Sequence, residues 1–135
     1  MATTSNPYGL RPLNRVGGTA YAGATTQLPI ASAYATDIFY GDIVAVVAGG
    51  TIEKMGAVGT NAAPFTAGTI GVFMGCSYTD ATQGFIQRQY WPASTVASDA
   101  QAYIVDDPSV RFQIQADGQV PQTDLHQNMA INQNA

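Results

Sequence analysis

The residues with chemical potential are few and scattered. His126 is the only histidine, and it stands in a polar tail with Asp124 two positions before it. A catalytic triad needs a base, an orienting group and an activated nucleophile. No nucleophile accompanies this pair, so His126 reads as a surface residue. Cys76, the only cysteine, follows a glycine-punctuated apolar run with no cation beside it in sequence. A reactive thiol needs neighbours that stabilise the thiolate, so Cys76 reads as a small buried hydrophobe. Asp106-Asp107 is the one adjacent carboxylate pair. Neighbours on a strand point to opposite faces, but Pro108 follows and makes a turn. Asx-type turn bonding is the better explanation, with calcium ligation the alternative. Gly49-Gly50 and Gly68-Thr69-Ile70-Gly71 lack the lysine and hydroxyl residue of a phosphate loop. Tyr78, Phe85, Tyr90 and Trp91 could form a platform for a sugar or a subunit, or could pack the core. The reading is of a non-enzyme that needs no cofactor, with no catalytic, cofactor-binding or metal site. A small hydrolase is the disfavoured alternative for want of an acid/base set.

The composition points the same way. The chain has 135 residues, 46% of them apolar, which suffices for one packed domain. Charged residues make up only 10%, against about 25% in an ordinary soluble domain. A surface so poor in charge suits burial against partners better than a solvated monomer. One lysine and four arginines against nine acidic residues give a net charge of −4. No cationic cluster is present to displace counterions, which argues against nucleic acid as a partner. The longest apolar run, residues 43–50, is far short of the roughly twenty residues that a spanning helix requires, which argues against a membrane. The polar, small N-terminus has neither the basic nor the apolar region of a Sec signal. With a single cysteine no intrachain disulfide is possible, consistent with synthesis in a reducing cytoplasm.

The elements that must position these residues are mostly strands. Residues 1–35 are rich in Thr, Ala, Gly and Tyr and are broken by Pro7, Pro12 and Pro29. Proline removes a donor and holds its predecessor extended. The region reads as an extended arm anchored by Tyr8 and Leu10, with a frayed terminus as the alternative. Residues 36–135 read as a β-rich domain. Strands are expected at 42–48, 51–55, 69–77, 84–91 and 102–106, the first two forming a hairpin through Gly49-Gly50. Gly71 and Gly75 inside a strand signal bulges or close backbone approach. Val110, Phe112, Ile114 and Ala116 alternate with Arg111, Gln113 and Gln115, the pattern of a half-buried antiparallel strand. Turns at short, regular intervals predict an all-β fold, a small antiparallel sandwich or barrel. A short C-terminal helix is expected, capped by Thr123 or Asp124 and running through Leu125 and Met129.

Several blocks together resemble a family of tailed-bacteriophage structural proteins found in marine and freshwater phages. They are residues 6–12 (Asn-Pro-Tyr-Gly-Leu-Arg-Pro), 39–44, 71–78, 89–92 and 102–108, and they are spread in order over most of the chain's length. The Gly-Asp strand start, the Gly-Gly turn and the later Gly-Val strand are also similar to head-decoration proteins. That resemblance implies a cement protein on the capsid exterior of a virion, made in the host cytoplasm, with the major capsid protein as partner and a homotrimer as its own association state. Family members continue past residue 135, which implies that the β domain is incomplete here. On this reading the arm lies over the lattice and orders on binding, and the contacts fall to Tyr8, Leu10, Arg11 and Arg15, with Tyr90 and Trp91 on the domain. A second reading is a tail or fibre module that binds a receptor or glycan through Tyr90 and Trp91.

Overall fold

The computed structural model describes residues 8–55, 69–116 and 118–127. Within them eight strands form: β1 Arg11–Arg15, β2 Thr26–Pro29, β3 Ile43–Val46, β4 Ile52–Lys54, β5 Thr69–Asp80, β6 Gly84–Arg88, β7 Gln101–Val105 and β8 Val110–Gln113. The fold is mainly β, with every strand pair antiparallel. Six strands make one sheet in the order β2-β7-β5-β3-β4, with β6 added to β5, while β1 and β8 form a separate ribbon. Ile30, just past β2, bridges Ile52 in β4. The two ends of the sheet therefore meet, and the sheet curls round on itself into a small barrel.

Strand β5 explains the arrangement. At twelve residues it is long enough to pair with β7 along one edge and with β3 and then β6 along the other. Its ladder to β7 matches Phe73 with Ile104 and then Gly75 with Tyr103, so Met74 is one extra residue. A bulge of this kind bends the strand and shifts the alternation by one. Phe73 faces the interior before the bulge, and Cys76 and Tyr78 face it afterwards. Gly75 has φ 151°, and a Cβ there would lie 2.9 Å from the Arg88 carbonyl oxygen. A Cβ on Gly71 would fall on the carbonyl of Val105. The two interior glycines thus mark a bulge and a close backbone approach, as their place in an apolar strand predicts.

The barrel interior is filled from all sides by Ile30, Ile38, Val44, Ile52, Phe73, Cys76, Tyr78, Trp91, Ala102 and Ile104. A second, smaller cluster lies on the outer face of β3 and β5. There Leu10, Ile43, Met55 and Val72 are buried, with Phe112 packed against them. The β1–β8 ribbon covers this patch, which is why Ile43 and Val44 are both buried although they point to opposite faces.

Three expectations need correction. Residues 8–35 are extended, but they do not form an arm detached from the domain. β1 pairs with β8, β2 pairs with β7, and Leu10 is buried. Of the two apolar anchors, Leu10 finds its partners within the chain's own core, because β3 and β7 would otherwise leave apolar faces and open edges uncovered. Second, the alternation from Val110 holds only through Phe112. Ile114 is 48% exposed, because the ladder ends at the Arg11–Gln113 pair and nothing beyond holds the strand. Third, the C-terminal helix is a single 3₁₀ turn, Gln122–Asp124, without a side-chain cap. Leu125 is already extended and His126 has φ 62°, which ends the turn. Met129 lies outside the described residues, as does the loop at 56–68.

Candidate partner interface

The turn that leads into β3 gathers residues from three parts of the chain. The Leu10 N–H donates to the Gly41 carbonyl at 3.1 Å, and Gly9 and Gly41 touch backbone to backbone. No side chain fits between them, so the N-terminal segment crosses this turn at minimum distance. On the same turn the Phe39 N–H donates to the Asp42 carboxylate at 2.9 Å. Lys54 pairs with that carboxylate at 3.2 Å and sits 5.7 Å from the Phe39 ring centroid. Phe39 also stacks on Tyr90, with ring centroids 6.5 Å apart. Tyr90 is fixed in turn by Arg88, whose Nη1 donates to its hydroxyl at 2.5 Å.

The result is a stacked aromatic pair, half exposed, with an ammonium on one flank and a guanidinium on the other. Phe39 is 50% and Tyr90 40% exposed. Such a patch offers apolar ring faces beside one guanidinium, with the Lys54 ammonium largely buried against Asp42, the kind of surface that aromatic and apolar groups or sugar rings stack on. Among the described residues no group of three or more His, Cys, Asp or Glu is placed to hold a metal.

The six residues expected at the interface divide. Tyr8 and Arg11 stay together near the surface, the guanidinium 4.1 Å from the Tyr8 ring centroid. Leu10, between them, is buried and belongs to the core. Arg15 is exposed but bound to Asp107 at 2.6 Å. Tyr90 is at the surface, whereas Trp91 is fully buried. Trp91 packs edge-on against Tyr78, its indole N–H reaches the Tyr34 carbonyl at 3.4 Å, and its backbone bonds to Ile38 in both directions. Adjacent residues of an extended chain point oppositely, so Tyr90 and Trp91 cannot share a platform. Tyr78 joins Trp91 inside, while Phe85 stands 66% exposed on β6.

Phe39 and Arg88 at this patch, with Lys54 largely buried beside them, are the residues that sequence reasoning did not assign. Nothing in spacing relates position 39 to position 90. Only the Ile38–Trp91 bridge brings them side by side.

The groups weighed for chemistry are bound elsewhere. Cys76 is fully buried, its Sγ donates to the Tyr90 carbonyl at 3.3 Å, and burial pushes the thiol up to about 11 despite the nearby Arg88 guanidinium. Asp106 accepts from the Thr26 hydroxyl at 2.9 Å. Asp107 accepts from the Ser109 N–H at 2.9 Å and from Arg15, and these bonds hold its carboxyl below the ordinary value. The adjacent carboxylates therefore serve different partners, one of them in an Asx turn. His126 is exposed. No protein-family model matches the chain, and no curated protein or solved structure matches it.

Proposed function

We propose that this chain is a non-catalytic phage head-decoration protein that binds the outer surface of the capsid, through the major capsid protein, and stabilises contacts between capsomers. The observation that carries the reading is the surface. With only 10% charged residues, the chain leaves Leu13, Val16, Phe39, Phe85, Val96 and Leu125 each at least half exposed. Many such apolar groups on a charge-poor exterior suit a protein that works covered by neighbours. Copies also associate with one another, as a trimer by resemblance to decoration proteins. Cement acts by mass action, binding the assembled shell better than its free subunits.

The contact face on this reading is the aromatic surface made by Tyr8, Phe39 and Tyr90 with the Arg11 guanidinium. The test is retention of the purified chain on emptied phage heads, followed by cryo-electron microscopy. A regular lattice of copies is the expected result. A few copies at a single vertex would favour a tail or fibre module, for which the exposed Phe39–Tyr90 pair is the glycan-binding candidate. Failure to attach to any part of the particle would remove both readings.

A further inference from the structure

We propose that two copies of this chain join through β6, pairing antiparallel about a two-fold axis near Ile86. β6 is bonded to β5 along one edge, and its other edge carries no ladder among the described residues. Monomeric proteins usually protect such an edge with charge, proline or a bulge. β6 carries a charge only at its last residue, Arg88, has no proline and no bulge in its ladder, and the Phe85 side chain beside the open edge is 66% exposed.

Charge complementarity selects the occupant and the register. Within the chain, Asp80 lies opposite Gly84 and Cys76 opposite Arg88. Centring the axis on Ile86 sets Gly84 of one copy opposite Arg88 of the other. One row across the four strands then reads Asp80, Gly84, Arg88, Cys76. Gly84 has no side chain, so nothing stands between Asp80 and the facing guanidinium. Their Cα atoms are two strand spacings apart, roughly 10 Å, within reach of an arginine and an aspartate. Each group suits the contact. The ion pairs formed among the described residues are Arg15–Asp107 and Lys54–Asp42; Arg88 closes none there, holds the Tyr90 hydroxyl through Nη1 and feels Asp80 of its own chain only at longer range. The three bonds that Asp80 accepts, from Thr82 and Gln83, all use Oδ1 and hold the carboxylate ionised. On the other face Phe85 meets Gln87, and the two Phe85 rings become diagonal neighbours, a stabilising cross-strand arrangement.

A two-fold contact is self-complementary and closed. It either makes a dimer or joins one trimer to another, so the inference does not depend on the capsid reading. The test is the mass of the full chain in solution by light scattering, beside Phe85→Lys and Asp80→Asn variants. Phe85 is exposed, so its replacement leaves the fold intact, which circular dichroism verifies. The asparagine keeps the turn acceptor and removes the charge. The expected result is an even-numbered assembly whose mass halves with Phe85→Lys and whose dissociation increases with Asp80→Asn and with salt. A monomer, an odd-numbered assembly, or an even-numbered one untouched by Phe85→Lys would overturn the proposal. Attachment to phage heads is measured separately, so either result can fail without the other.

Discussion

Cys76 sits where β5 resumes its inward alternation after the bulge, and its environment decides its behaviour. A fully buried thiol that donates to a carbonyl is a packing group. It should resist alkylation at pH 8 in the folded protein and react at once in denaturant, as thiol titration would show. Its raised pKa also has a consequence for stability. The unfolded chain releases this proton near the ordinary value of 9.0, while the folded chain holds it to about 11. Between these values the unfolded state binds fewer protons, so stability must fall as pH rises. Denaturant titrations at pH 8, 9.5 and 11 should show a decline that is shallower in Cys76→Ala. Equal slopes would mean that the thiol titrates normally. Cys76 was legible from sequence because an apolar strand without cations admits only one environment. Trp91 was not. An aromatic doublet announces one ring in and one out, yet nothing local says which.

At the scale of the strand, β5 depends on two glycines for different reasons. Gly71 lies against the backbone of β7, so a methyl group there meets a carbonyl that cannot rotate away. Gly71→Ala should cost about 3 kcal/mol or more, above the common range for overpacking, measured by urea unfolding. Gly75→Ala strains the bulge and should also destabilise. A variant at position 71 that unfolds at the wild-type urea concentration would mean that β5 and β7 lie farther apart. The distal end of β5 is tied by Asp99, which accepts from the Thr79 hydroxyl at 2.5 Å and the Thr79 N–H at 3.0 Å. Those bonds lower its pKa below 3.8. The stabilisation is present above the unfolded value and is lost as pH falls through the folded one. Wild type should therefore lead Asp99→Asn at pH 7, and the lead should shrink below about pH 4, followed by melting temperature. The β3–β4 hairpin and the interior glycines were readable because turn chemistry and strand composition are local. The far end of β5, the loss of alternation at Ile114 and the single 3₁₀ turn depend on where partners stop, and that is not local information.

For the whole molecule, the sequence separates an N-terminal region that the fold does not. Residues 1–35 differ from the rest in composition, and Pro12 and Pro29 do stand in extended strands, β1 and β2. Composition cannot tell that an extended segment will be claimed by β7 and β8 of the same chain. The pairings join residues roughly seventy to one hundred positions apart, beyond any periodicity. This changes how attachment must be tested. Removing residues 1–15 would take away β1 and Leu10, leaving Ile43 and Val72 uncovered and β8 without its partner. Loss of the Leu10 side chain alone should cost roughly 2 kcal/mol by apolar burial. We expect the truncated chain to melt well below the full one, and a truncation that melts with the wild type would return β1 to the status of a free arm. Attachment to phage heads is therefore better probed with Arg11→Ala, Phe39→Ala and Tyr90→Ala, whose side chains reach the surface. These should reduce retention on heads while leaving the melting temperature within a few degrees, since substitutions at exposed positions rarely shift stability by more than about 0.5 kcal/mol. Retention unchanged in all three would move the contact face away from the turn that leads into β3.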